Sequence, residues 1–197
     1  NKLIRDFLQK FKGSLNLAET YPIVAKHIYY RKYLAPRKQD QEIVIAGDRD
    51  LEKLGLAEMA VLENLWENAN QKIIEIHKKT GLNPKTIVKT KKFLEASKII
   101  RGYLTNFNLG ALGINKKHIL LRSRDFSLSE DRKLLQFSLM HPNIVSLTRF
   151  IGDYDLLIEV EEEENSKKDV LHDLRMEFTI RKYRVITGGT IIKQKYI

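Results

Sequence analysis

Residues 72–101 hold nine lysines and arginines against two acidic residues. Lys85, Lys89, Lys91 and Lys92 lie within one eight-residue stretch of it. Cations at that density suit a polyanion, of which nucleic acid is the simplest. A solvated lysine-rich face is the plainer alternative, and local architecture has to decide between them. The flanking charge has the opposite sign. Residues 41–71 carry two basic and seven acidic side chains, and residues 153–173 carry two and nine. The acidic run Glu161-Glu162-Glu163-Glu164 reads as a solvated strand end rather than a metal site. The five histidines, His27, His77, His118, His141 and His172, show no i,i+4 pairing and no carboxylate partner in sequence. With no cysteine there is no disulfide framework, no thiolate ligand and no cysteine nucleophile. Walker, GxSxG and GxGxxG motifs are absent, so no enzyme, catalytic residue, metal or cofactor is expected.

The whole chain has 197 residues, 43% hydrophobic and 30% charged, with a net charge of +10. Those values suit a folded chain with a sizeable core and exclude a disordered acidic one. No apolar run is long enough for a transmembrane helix. Asn1 to Asp6 lack the apolar core of a signal peptide, so a cytoplasmic protein with no membrane partner is expected. The chain opens on Asn rather than Met, as part of a longer polypeptide would.

Three helices must position the basic cluster. Met59, Leu62, Leu65, Trp66 and Ala69 recur at helical spacing over 54–70, leaving Glu58, Glu63 and Glu67 outside. A shorter helix is predicted at 72–80. Gly81 then suits the left-handed position after a helix end. Asn83 can cap the next helix, and Pro84 fits its first turn. That third helix runs to about Ser97. Short helices joined by a Gly-containing turn make a helix-turn-helix. The free N-terminus of its last helix, lined by Lys85, Lys89, Lys91 and Lys92, is the arrangement that enters a major groove. Lys98 to Leu104 is predicted as a strand or wing.

From about residue 117 the periodicity changes. A strand at 118–124 precedes a helix opened by Ser127-Leu128-Ser129-Glu130, which has capping-box spacing. Strands at 144–151 and 154–161 follow, joined by Gly152-Asp153 as a two-residue hairpin turn. A helix opened by Ser166 to Asp169 and a strand over 183–194, bulged at Gly188-Gly189, complete a β-α-β-β-α-β order. One internal similarity stands out. Leu3 to Phe11 aligns without gaps to Val170 to Phe178, and Tyr30 to Leu34 matches Lys193 to Ile197. The N-terminal segment therefore reads as the last helix and strand of an earlier copy of the same domain, with a charged linker from about Ala35 to Asp50. The strand Ile23–Tyr33 is expected to dock on the sheet of residues 118–197. Chance similarity of two amphipathic helices is the alternative.

Four motifs in register over residues 50–197 resemble the Lrp/AsnC, or feast/famine, transcription regulators. They are Thr80-Gly81-Leu82-Asn83-Pro84-Lys85-Thr86-Ile87, Ile99-Ile100-Arg101-Gly102-Tyr103, His141-Pro142-Asn143-Ile144-Val145 and Gly152-Asp153-Tyr154-Asp155-Leu156. The N-terminal piece resembles the tandem archaeal members. The resemblance implies an α+β protein in three parts: residues 1–48, the remnant of a preceding effector domain; 49–108, a winged helix-turn-helix; and 109–197, a ferredoxin-like βαββαβ domain for effector binding and dimerisation. It implies recognition residues Asn83, Lys85, Thr86, Lys89 and Thr90, to which Lys92 and Arg101 are added as DNA-binding residues. It also implies that the hairpin Gly152, Asp153, Tyr154 and Asp155, otherwise an ordinary tight turn, receives a small effector such as an amino acid. The implied partners are double-stranded DNA, that effector and at least one further copy of the chain.

The chain departs from the family at Lys91, where a core aliphatic is usual, and at Phe93, where a polar side chain is. Near Lys89 and Thr90 the usual arginine is missing. A degenerate helix-turn-helix in a non-DNA-binding oligomeric effector sensor therefore stays open. So does a siroheme-decarboxylase-like enzyme, although the Arg/His-rich substrate motifs of that group are absent.

Overall fold

The computed structural model describes residues 2–10, 21–34, 42–45, 52–123, 127–163, 166 and 169–188. In chain order these form helix α1 (Lys2–Lys10), strands β1 (Ile23–Tyr29) and β2 (Glu42–Ile45), helices α2 (Leu56–Glu67), α3 (Ile73–Thr80) and α4 (Pro84–Ala96), strand β3 (Ile114–Ser123), helix α5 (Leu128–Met140), strands β4 (Ile144–Phe150) and β5 (Leu156–Glu163), helix α6 (Val170–Glu177) and strand β6 (Ile180–Thr187). The strands build one sheet in the order β2-β1-β4-β5-β3-β6. Every pairing is antiparallel.

Strand alternation sends Ile119 and Leu121 of β3 and Leu156, Ile158 and Val160 of β5 to the same face. There Ile119 sits opposite Ile158, and Leu121 opposite Leu156. Leu134 of α5 and Val170 and Leu174 of α6 close over them into a dry core. A separate apolar cluster joins α2, α3 and α4 through Val61, Leu65, Ile76, Ile87 and Leu94. Among the described residues, no helix is long and apolar enough to cross a membrane.

The N-terminal strand docks where expected. Without it β4 would be a bare sheet edge, with a row of unpaired backbone groups. β1 pairs along β4 from Ile23 to Ile28 and inserts the buried Tyr29 into the main core. The sheet then extends beyond the expectation. Residues 42–45, assigned above to a linker, form β2 and pair with β1, because Ile43 and Ile45 are apolar on the face that carries Ile28. Ile43 is buried there. On α1, Phe7 is more than half exposed. The matched segment Lys193 to Ile197 lies outside the described residues.

Local details also differ from the sequence reading. Residues 98–104 form no wing strand. Lys98 takes a positive φ of 57°, and the Ile100 N–H returns to Leu94 O at 2.9 Å. Ile99 and Ile100 therefore fold back against the helical cluster. On α2 the buried stripe is Val61 and Leu65, while Met59 and Trp66 stand partly exposed. The β4–β5 connection spans residues 151–155 rather than two residues, and Gly152 does not need a positive φ. β6 starts three residues earlier than expected and ends before Gly188, at φ 81°.

The acidic strand end is solvated at Glu163 but buried at the two residues before it, and Glu164 lies outside the described residues. Glu161 and Glu162 are 1% and 3% exposed. Glu162 meets Lys117 at 2.6 Å. On the sheet face away from α5 and α6, Glu159 sits between Lys26 at 2.9 Å and Lys116 at 2.7 Å. Burial by itself would raise the Glu159 carboxyl, but the two ammoniums outweigh it and hold the group at about 2, against an ordinary value of 4.5. Folding thus favours the carboxylate. Its contribution, on the order of 3 kcal/mol, is complete above pH 4.5 and is lost as pH falls from there towards 2. Urea midpoints measured across that window should fall steeply in the native chain and more gently in Lys26→Met.

Candidate nucleic-acid interface and effector hairpin

The turn between α3 and α4 is built from its own sequence. Gly81 adopts φ 72°, a conformation that strains any residue with a Cβ. Thr80 Oγ1 donates to Ile76 O at 2.7 Å and accepts the Leu82 N–H at 3.2 Å. Asn83 Oδ1 accepts the Lys85 N–H at 2.9 Å, and Pro84 occupies the first turn of α4. The start of α4 is therefore capped and faces solvent.

Burial of Ile87, Thr90 and Leu94 at helical spacing decides which side of α4 looks outward. Asn83, Lys85, Thr86, Lys89 and Lys92 are all exposed. Lys85, Lys89 and Lys92 follow an i, i+4, i+7 stripe, and none has an ion-pair partner among the described residues. Two predicted DNA residues fall elsewhere. Thr90 is 6% exposed and belongs to the core of the three helices, because it lies three residues after Ile87 on the buried stripe. Arg101 donates from Nη1 to Val44 O at the edge of β2, so its guanidinium is engaged by the sheet.

Lys91, the residue that interrupts an apolar pattern, snorkels. Its ammonium lies 5.3 Å from the centroid of the Tyr103 ring and 4.0 Å from Glu95 Oε1. The Tyr103 hydroxyl donates to the same carboxylate at 2.8 Å. Burial, then the Glu95 carboxylate, push that phenol up to about 12, so it remains a donor throughout the physiological range. Phe93 is about half exposed, as the sequence implied.

The hairpin residues Gly152, Asp153, Tyr154 and Asp155 come together at the end of the sheet, but the Asp153 carboxylate and the Asp155 backbone are already engaged. The Asp153 carboxylate pairs with Lys182 and lies 3.5 Å from Arg122, whose Nη1 also donates to Asp153 O at 3.0 Å. The Lys182 hydrogen bond holds the Asp153 carboxyl below the usual carboxylate range. Asp155 N–H donates to Leu121 O at 2.9 Å, and its carbonyl accepts from Phe150 N–H at 3.1 Å. Tyr154 is buried beneath the Lys182 ammonium, 4.7 Å from the ring centroid. Tyr21 completes the cluster. Its ring lies 4.9 Å from that of Phe150 and 6.4 Å from that of Tyr154, and a Cβ at Gly152 would overlap it. The Ile151 N–H donates to Pro22 O at 3.0 Å. A ligand at this hairpin has to displace contacts supplied by the N-terminal segment.

Sequence reasoning missed that segment's polar residues. Arg31 places Nε 2.6 Å from Glu161 Oε2 and Nη2 2.9 Å from Oε1, a two-pronged pair. Tyr33 donates to Glu161 Oε2 at 2.5 Å. Lys32, itself buried, donates to Ser138 O at 3.1 Å and His141 O at 2.7 Å, satisfying carbonyls at the end of α5. Burial pulls its ammonium down to about 8. The available signal was in the repeat alignment, where Lys32 and Tyr33 are the positions identical to Lys195 and Tyr196. Among the described residues, no group of three or more His, Asp or Glu side chains is placed to hold a metal ion.

No family model and no curated protein matches the chain. Solved structures do. An AsnC family transcriptional regulator from Agrobacterium tumefaciens is 17% identical with a TM-score of 0.63, over 72% of this chain and 94% of its own. A transcriptional regulator from Neisseria meningitidis, solved as an L-Met complex, is also 17% identical at a TM-score of 0.63, over 73% and 94%. AsnC of Escherichia coli is 18% identical at 0.58, over 74% and 99%. The chain has the fold of the AsnC/Lrp transcriptional regulators.

Proposed function

We propose that the chain is a DNA-binding transcription regulator of the Lrp/AsnC type, with a helix-turn-helix at 56–96 and a ferredoxin-like domain at 114–187. The observation that carries this reading is the exposed stripe of Lys85, Lys89 and Lys92 on a helix whose capped N-terminus faces solvent. Asn83 and Thr86 are the residues for base edges, and Lys85, Lys89 and Lys92 those for phosphates. The protein acts as at least a dimer, presenting two such helices to two half-sites. A small effector, such as an amino acid, acts at the 152–155 hairpin by displacing the contacts that now engage Asp153 and Gly152. The likeness to a regulator solved with L-Met supports that choice of ligand class.

A second reading, a non-DNA-binding oligomeric sensor, draws on the withdrawal of Thr90 and Arg101 from the outer surface. Fluorescence anisotropy of labelled genomic duplexes separates the two. The regulator reading expects log affinity to fall linearly with log salt by about 0.9 per phosphate contact. Absence of any salt-sensitive binding would leave the sensor.

A further inference from the structure

Residues 101–108 join the three-helix unit to the sheet and contain no helix or strand. A connector of that kind, left to itself, would let the basic helix swing freely. It is not left to itself, because residues of the N-terminal segment hold it along its length. Arg101 Nη1 donates to Val44 O of β2. At Gly102 the buried Ile43 of β2 presses on the backbone, where a Cβ would overlap its side chain. Arg31 Nη1 donates to Thr105 O at 3.4 Å, and its guanidinium carbon lies 5.0 Å from the centroid of the Phe107 ring.

The same guanidinium spends its Nε–H and Nη2–H on Glu161, whose side chain is wholly buried on β5. The planar fork of arginine lets one side chain serve both partners at once. At its other end the connector reaches α4, because Tyr103 bonds Glu95 and lies beneath the Lys91 ammonium. Contacts thus run without a break from β5, through Arg31 and the connector, to the helix that carries Lys85, Lys89 and Lys92.

We infer that β1, β2 and the turn after β1 form an internal clamp that fixes the three-helix unit on the sheet, with Arg31 and Ile43 as its positioning residues. The clamp is made of sequence N-terminal to the helix-turn-helix, so a chain that ended before it would hold the same two units on a loose connector. The consequence for DNA rests on the regulator reading above. The clamp itself does not, since it concerns only how two parts of the chain are held.

Phe107→Ala and Ile43→Ala, alone and together, test it, because both leave the Arg31–Glu161 pair in place. ¹⁵N order parameters over residues 101–107 should fall from about 0.85 to below about 0.6 in the double variant, while the sheet amides of β4 and β5 keep their exchange protection. ¹⁵N relaxation should show residues 56–96 tumbling with the sheet in the native chain and separately in the variant. Native order parameters over 101–107 in both single variants and the double, with one common tumbling time, would overturn the clamp. Affinity for labelled duplex DNA should fall several-fold in the double variant, the cost of orienting a loosened helix. A native chain that binds no DNA would remove the regulator reading, and relaxation would still decide the clamp.

Discussion

Arg31→Met is expected to lower the stability of the protein by about 3–5 kcal/mol, the cost of leaving one member of a buried ion pair uncompensated. Glu161 has no solvent to turn to: its side chain is wholly buried, and Arg31 supplies both charge-assisted bonds to it. The Tyr33 hydroxyl remains, but a single neutral donor does not balance a buried carboxylate. The loss should also detach β1, because Arg31 stands two residues past the end of that strand. Urea denaturation followed by far-ultraviolet dichroism measures the size of the effect. Replacing both partners, Arg31→Met with Glu161→Leu, should recover most of it, since no charge is then buried alone. A loss below about 1 kcal/mol in the single variant would show that water reaches Glu161 and that the pair has the modest worth of a surface bridge.

Lys85→Ala with Lys89→Ala should weaken DNA binding by about tenfold or more near 0.1 M salt, and reduce the log–log salt slope by about 1.8, twice the 0.9 expected per phosphate contact. Both side chains are exposed and, among the described residues, without an ion-pair partner, so unfolding free energy should change by less than about 0.5 kcal/mol. Lys133→Ala is the matched control. It removes one positive charge, half of what the pair removes, from α5, where the ammonium pairs with Glu177 at 3.0 Å. That variant should leave both affinity and slope near native. Equal effects per charge removed would assign binding to net charge rather than to α4. An Arg101→Ala variant should change the slope little, because its guanidinium is engaged at β2.

Much of the candidate interface could be read before the fold was known, because the signals are local. Gly81, Asn83 and Pro84 act through their own backbones, so the end of α3 and the start of α4 follow from residue type. The periods of Ile87 and Leu94 on α4, and of Leu156, Ile158 and Val160 on β5, assign faces without any partner being named. The β-α-β-β-α-β order and the exposure of Lys85, Lys89 and Lys92 rest on the same arithmetic. Where local chemistry was ambiguous the reading failed. Met59 and Trp66 are as apolar as Val61 and Leu65, and only the approach of α4 selects which of them is buried.

What the sequence by itself determined is therefore the helices, the β-α-β-β-α-β order of the second half, and the capped basic helix. Each depends on residues within a few positions of one another. What only the tertiary structure decided is where charges end up and which segments meet. A run of four glutamates reads as solvated until the turn after β1, more than a hundred residues earlier, brings Arg31 to Glu161. The stretch taken for a linker became a strand because β1 offered an open edge. Arg101, basic and beside the helix-turn-helix, was drawn to a backbone carbonyl of that strand instead. The physical reason is common to all three. A charged or edge group in water costs little wherever it stands, and its partner is chosen only when folding removes the water.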